Sequence, residues 1–247
     1  MIRPVSHRFF LRCGVVATAA ALACTACSGS GGSPVAPPPT SAAPSSPVKP
    51  FDAPPDAATV GDTVANELGM ARAVHIKGTT TNGFTVDLQL NHDSAGGSIE
   101  VGGGPVSLVR VGDTTWIKIT DGMTKITGVP AGTPSKMNGK WLSADSPLLH
   151  GRGASLKSLL DIDAFLGSAA DDLGKPGYSA GEPVDLAGTP AVRYRNGSNT
   201  IYLERFGTTY SLVRYESPKQ GAVDFDMGEP RPVAAPPAAE IYSGPGS

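Results

Sequence analysis

Cysteine is almost missing from this 247-residue chain: there are three, Cys13, Cys24 and Cys27, and none from Ser28 onward. No disulfide framework can staple the body, so a packed core must hold it. Charge is sparse, with Asp, Glu, Lys and Arg at 17% against roughly 25% in an ordinary globular chain. No basic run interleaved with aromatics occurs, which argues against a nucleic-acid partner. Aromatics are only 6%. The apolar stretch at 14–23 (GVVATAAALA) is far short of the about 20 residues a bilayer-spanning helix needs. After residue 55 there is no Gly-x-Ser-x-Gly elbow, P-loop or dinucleotide fingerprint. His75, His92 and His150 are widely spaced, with no i, i+4 metal pair. His75 falls on the polar side of an expected strand, and Asp161, Asp163, Asp171 and Asp172 on the polar remainder of an expected helix. Ser46-Pro47-Val48-Lys49 matches the Ser-x-x-Lys pattern of penicillin-interacting enzymes, but a proline run cannot supply the rigid helix that nucleophile needs. The reading is therefore of a non-enzyme with no metal and no cofactor.

What the chain does have begins at its N-terminus. Arg3, Arg8 and Arg12 precede the short apolar core, and small residues follow it. That is the layout of an export signal. Bacterial lipoprotein signals close on small residues and a cysteine that takes the lipid. Cys27 follows Thr25-Ala26 and opens a Ser/Gly run, which makes it the first choice. Cys24 is the alternative, because Ala21 stands three residues before it whereas Cys24 itself stands three before Cys27. An ordinary cleaved signal is the bland alternative. Two cysteines without nearby His or Cys give too few ligands for tetrahedral zinc. With the leader removed, 17 Lys and Arg remain against 22 Asp and Glu, a net charge of −5.

Residues 28–55 read SGSGGSPVAPPPTSAAPSSPVKPFDAPP. Such a stretch has almost nothing to bury and is expected to stay extended as a disordered tether. Residues 56–230 have the length of one domain, and 231–247 read as a second disordered tail.

Within the domain the hydrophobic period changes along the chain. Val60, Val64 and Leu68 repeat every fourth residue after Pro55-Asp56, the pattern of a helix. From Val74 the period is two. Phe84, Val86, Leu88 and Leu90 alternate with Thr85, Asp87 and Gln89, beyond an Asn82-Gly83 turn. Further strands are expected at 98–101, 106–111 and 114–120. Residues 121–153 look irregular, with Trp141-Leu142 as the packing anchor. A second helix is expected over 155–173, where Leu156, Leu159, Leu160, Ile162, Phe165, Leu166 and Ala169 cover most of its girth and demand burial on more than one side. Strands return at 182–186, 191–195, 200–205, 210–216 and 222–226. Asn196-Gly197-Ser198 serves better as a hairpin turn than as a glycosylation acceptor. The fold class that follows is α+β, a single curved antiparallel sheet of about ten strands with helices on its concave face.

Several stretches resemble a known family. They are Ala-Val-His-Ile-Lys-Gly at 73–78, Val-Gly-Asp-Thr-Thr-Trp-Ile-Lys at 111–118 with Lys140-Trp141 later, Glu-Pro-Val-Asp-Leu-Ala-Gly-Thr-Pro-Ala-Val-Arg-Tyr at 182–194, and Asp-Phe-Asp-Met-Gly-Glu-Pro at 224–230. Together with the cysteine and tether, these resemble the actinobacterial lipoproteins of the LppX/LprAFG (LprG-like) group. The resemblance implies a LolA-like half-barrel with a hydrophobic cavity between sheet and helices. It implies a non-enzymatic role in binding acylated lipids or glycolipids and carrying them across the envelope. Only the anchor cysteine carries over from the family. On this reading the protein is a monomer, lipid-anchored to the extracytoplasmic face of the cell membrane. Phe84, Val86, Leu88 and Leu90 on one strand, and Leu159, Leu160, Phe165 and Leu166 on the second helix, are the candidate cavity lining. The competing reading is an envelope sensor or protein-interaction module whose core is simply filled, with its contact surface within 121–153.

Overall fold

The computed structural model describes residues 53–81, 83–101, 104–120, 137–219 and 221–244. The expected export signal, both candidate anchor cysteines and the expected tether up to residue 52 lie outside these, as does residue range 121–136 of the segment expected to be irregular. Helix α1 (Val60–Met70) opens the described chain. It leads into β1 (Ala73–Thr79), β2 (Phe84–Asn91), β3 (Ser94–Val101), β4 (Pro105–Val111) and β5 (Thr114–Lys118). A short β6 (Trp141–Ser143) and helices α2 (Gly153–Leu159) and α3 (Ile162–Leu173) follow. The last run is β7 (Glu182–Leu186), β8 (Thr189–Asn196), β9 (Asn199–Phe206), β10 (Thr209–Ser217) and β11 (Gly221–Met227).

These strands form one open antiparallel sheet in the order β6-β5-β4-β3-β2-β1-β11-β10-β9-β8-β7. The fold is α+β, with the sheet curved and the helices on its concave face. Two meanders of tight hairpins meet at the centre, where β1 pairs with β11. The eleventh strand is β6, inside the segment whose composition predicts irregular structure.

Register builds the concave face row by row. Because strand side chains alternate with period two, antiparallel partners share a face. Leu142, Ile117, Leu108, Gly97, Leu88, Ile76 and Phe225 stand opposite one another across seven strands. All but the glycine are buried. Val60, Val64 and Leu68 of α1, Leu156 of α2, and Ile162, Leu166 and Leu173 of α3 join them in one apolar cluster. A fully buried Leu or Ile contributes about 1.5–3 kcal/mol of transfer free energy, so this single layer carries the stability that cysteine does not.

Gly97 sits in that row for a steric reason. Its φ is +147°, and a Cβ there would lie 2.0 Å from the carbonyl oxygen of Asp87 on β2. Its neighbour Gly96 faces the opposite side, where a Cβ would lie 2.7 Å from the side chain of Val233.

That contact exposes one difference from the sequence reading. The tail from residue 231 was expected to be disordered, yet as far as residue 244 it is docked on the convex face. Asn91 is the main clamp. Its Nδ2 donates to the Arg231 carbonyl at 2.9 Å, and its Oδ1 accepts from the Arg231 N–H at 3.2 Å. The Val233 N–H donates to Ser94 Oγ at 3.1 Å. The strap then reaches the edge strand: Ile241 bridges Trp141 in parallel, and the Tyr242 N–H donates to the Trp141 carbonyl at 2.8 Å. Composition alone reads this proline-rich segment as unbound. Side-chain clamps and an edge strand in need of cover give it partners that composition does not reveal.

A second difference concerns the long apolar helix expected over 155–173. It is two helices broken at Leu160-Asp161. Asp161 leaves the helical region and caps α3, its Oδ1 accepting from the N–H groups of Asp163 (3.0 Å) and Ala164 (3.1 Å). The break rephases the apolar pattern. Two helices with one buried stripe each replace one helix greasy on all sides.

Candidate functional site

The eight candidate lining residues fall into two groups. Leu88 (1% exposed), Leu90 (0%), Leu160 (0%) and Leu166 (3%) are enclosed in the apolar cluster. Side chains with so little accessible surface are packed almost wholly against protein atoms, and Leu90 and Leu160, with none, border no hollow that admits water. Phe84, Val86, Leu159 and Phe165 are half-buried and pack against the same cluster. The layer between sheet and helices is thus closed at its centre and partly open at its margins.

Two polar clasps tie the helices to the sheet, and sequence reasoning missed both. The first is Arg110 on β4, which shares its row with Ala95, Leu90 and Val74 on the concave face. Its Nε donates to the Leu160 carbonyl at 3.0 Å, at the break between α2 and α3. Its Nη2 donates to the Asn91 carbonyl at 2.7 Å, and both terminal nitrogens donate to the His92 carbonyl at 3.1 Å. One guanidinium fork therefore seals the end of α2 onto the β2–β3 turn.

The second clasp is Glu67 on α1. Its Oε1 accepts from the Ser211 hydroxyl, and its Oε2 accepts from the Leu212 N–H at 2.9 Å. Leu212 lies where β10 slips register against β9, so the carboxylate fills a donor that the sheet ladder cannot pair. Burial raises the Glu67 pKa, and the two hydrogen bonds only partly offset it. Two tyrosines complete the frame. Tyr178 donates to the Leu173 carbonyl at 2.8 Å and Tyr194 to the Pro55 carbonyl at 2.7 Å. Burial pushes each phenol up to about 12.

Beside the Glu67 clasp a pocket of about 410 Å³ opens at the rim of the sheet. It is lined by Glu67, Met70, Ala71, Arg72 and Ala73, where α1 passes into β1, and by Met227, Gly228, Glu229 and Pro230, where β11 ends. Met227 stands opposite Val74, so it faces the helices. Periodic apolar patterns give no signal for this pocket, because it is made where α1 passes into β1 and where β11 ends, outside any periodic run.

No family model matches the chain, and no curated protein matches it. The chain is similar in structure to LprF from Mycobacterium bovis, at 15% identity and a TM-score of 0.45, over 73% of this chain and 96% of that one.

His75 is placed on the polar face as expected, with its Nε2 2.7 Å from Asp87 Oδ1 on β2. Among the described residues no group of three or more His, Cys, Asp and Glu is placed to hold a metal ion. No helix of the described residues is long and apolar enough to cross a membrane.

Proposed function

We propose that this protein is an envelope lipoprotein, anchored through Cys27 or alternatively Cys24. In this reading it takes the acyl chain of a lipid or glycolipid between its curved sheet and its helices, and carries or presents that lipid at the extracytoplasmic face of the membrane. The observation that carries the reading is the continuous apolar layer between sheet and helices, which opens at the rim to a pocket of about 410 Å³. That volume lies in the ordinary range for small-ligand sites. Residues 28–55 act as the spacer between anchor and domain, and the domain works as a monomer without catalysis.

Because Leu88, Leu90, Leu160 and Leu166 are enclosed, an acyl chain is accommodated by displacement. The helix layer shifts and the ligand's methylenes replace protein contacts. Exchanging one apolar surface for another is nearly neutral per unit area, so a closed layer is compatible with a ligand. The same closure favours a second reading, the filled-core sensor that meets a protein partner on its surface.

Native mass spectrometry of the chain gently purified from an actinobacterial host separates the two. Lipid carriage requires co-purifying acylated ligand, and the intact mass also reports which cysteine carries the anchor. Repeatedly empty protein that takes up no fluorescent acyl probe rejects carriage and leaves the sensor.

A further inference from the structure

The strap on the convex face is a bound proline-rich segment, and the surface beneath it suits one. The chain has two tryptophans, and the sheet sets both on that face. Gly96, Val109, Trp116 and Ser143 form one convex row, and Trp141, two residues before Ser143, shares their side. Aromatic-lined grooves hold proline-rich segments well, because such segments are already extended and lose little entropy on binding. The strap fits that mode. Pro236 is buried, and Pro237 has φ −55° and ψ 135°. Trp141 Nε1 donates to Glu240 Oε2 at 3.3 Å, and Lys140 Nζ donates to the Ala239 carbonyl at 2.9 Å.

The groove reads few of the strap's side chains. Asn91 holds the N–H and carbonyl of Arg231, and Ser94 holds the N–H of Val233, all main-chain groups. Selection comes from Val233, seated where Gly96 has no Cβ, and from the buried Pro236. Ala234 and Ala235 are exposed.

The same run occurs a second time in the chain, in the tether, outside the described residues. Pro34-Val35-Ala36-Pro37-Pro38-Pro39 matches Pro232-Val233-Ala234-Ala235-Pro236-Pro237 at five of six positions. The difference, Pro37 for Ala235, falls where the strap is exposed. Ser33 stands for Arg231, whose contacts with Asn91 are main-chain. Beyond this the two runs part. Thr40, Ser41, Ala42 and Ala43 stand where the strap has Ala238, Ala239, Glu240 and Ile241. The tether copy therefore has the sequence that Asn91, Ser94 and Gly96 hold, without the hook on Trp141.

We infer that the convex groove is a self-association site: it takes residues 33–39 of a second copy, and the strap is the occupant that keeps it closed. Strap and neighbouring tether present the same groups to the groove, so they exclude one another. In the intact chain the strap prevails. Only residues 228–230 link it to β11, which makes its docking intramolecular, and it alone carries the hook. The protein is a monomer while the strap is docked, and release of the strap lets copies associate. This goes beyond lipid binding and does not depend on it.

The test uses the full chain with Cys24→Ser and Cys27→Ser, and the same chain ending at Pro230. The probe is a fluorescent peptide of residues 33–41, SPVAPPPTS, with a scrambled peptide as control. In fluorescence anisotropy the strapless chain should bind the peptide. The intact chain should bind it about tenfold or more weakly, because the strap must first lift. Gly96→Ala in the strapless chain puts a Cβ into the valine seat and should abolish binding with the melting transition retained. In sedimentation the strapless chain should associate and the intact chain stay monomeric. Val35→Asp, outside the folded domain, should return the strapless chain to monomer. If the strapless chain does not fold, the full-length Glu240→Ala, Tyr242→Pro chain, which loosens only the hook, takes its place in both assays. Equal binding of the scrambled peptide, equal binding by Gly96→Ala, or no binding by the strap-released chain overturns the groove. Association that survives Val35→Asp overturns the second copy's tether as its occupant. So does a strap-released chain that binds the peptide yet stays monomeric, which leaves the groove to a proline-rich partner protein.

Discussion

The convex strap makes the sharpest test of the fold. Asn91 is 4% exposed and Ser94 7%, both beneath the strap. Replacing Asn91 by Ala removes both of its hydrogen bonds to Arg231. Each is worth about 0.5–1.5 kcal/mol net, so docking should weaken by about 1–3 kcal/mol. The Arg231–Asp226 ion pair, at 2.7 Å and exposed on both sides, cannot make up the loss, because such pairs contribute about 0–1 kcal/mol. The Val233 N–H keeps its bond to Ser94, but it is released whenever the strap lifts. Hydrogen exchange followed by mass spectrometry on the peptide covering 228–244 reads this directly. A weakening of 1.4 kcal/mol is tenfold in the opening constant, so the Arg231 and Val233 amides should exchange about ten to a hundred times faster in Asn91→Ala. Amides of β1 and β11 at the sheet centre should stay protected, because the strap opens locally before the sheet does. Unchanged exchange at both strap amides would falsify the claim that Asn91 holds the tail.

Other residues carry independent tests. Gly97→Ala forces a Cβ to within 2.0 Å of the Asp87 carbonyl oxygen, where backbone on both strands must move; a loss of about 3 kcal/mol or more should appear as a lower urea midpoint, and a loss under 1 kcal/mol would contradict the packing. Glu67 has a raised pKa in the folded chain, so the unfolded chain releases that proton first and stability declines as pH rises from about 4.5 through the folded value. Glu67→Gln should flatten this part of the pH–stability curve measured between pH 4 and 8, and parallel curves for the two proteins would refute it. Asp161→Ala removes the cap of α3 and should cost about 0.5–2 kcal/mol in denaturant unfolding, with no effect expected if α2 and α3 were one continuous helix.

Much of the sheet was legible because its signals are local. The alternation of Phe84, Val86, Leu88 and Leu90 with polar neighbours places β2 and its buried face from sequence alone, and the observed strand is Phe84–Asn91. The hairpin glycines Gly83, Gly112, Gly197 and Gly207 all have positive φ, as turn chemistry requires. The illegible features are those made by distant residues. Strand β6 is three residues long and exists through pairing with β5. The strap depends on Asn91, 140 positions from Arg231. The helix break was legible in principle, since Asp161 begins an acid-capped turn inside an apolar run, but four-residue apolar spacing on either side masked it. For the candidate lining, polarity was the right guide to burial and a poor guide to emptiness. Periodicity identifies which side chains face inward and says nothing about whether the space they face is filled.

That distinction bears on how a closed layer would admit the proposed ligand. Apolar contacts between sheet and helices are interchangeable with contacts to an acyl chain, so they do not fix the helices in place against a lipid. The polar ties do. Arg110 binds the end of α2 to the β2–β3 turn through carbonyls that an acyl chain cannot replace, and losing a partly buried charged hydrogen bond costs about 1.5–3 kcal/mol. Glu67 holds α1 to the irregular stretch of β10 in the same way. Opening that keeps both ties is therefore the least costly. Arg110 holds the α2–α3 junction and Glu67 holds α1 one turn before its end, which leaves the last residues of α1, Met70 foremost, free to move without breaking either. The rim pocket lies at that point. On the proposed function, a ligand that entered there would displace side chains whose contacts it can restore, whereas one entering past Leu160 would first have to break the Arg110 fork.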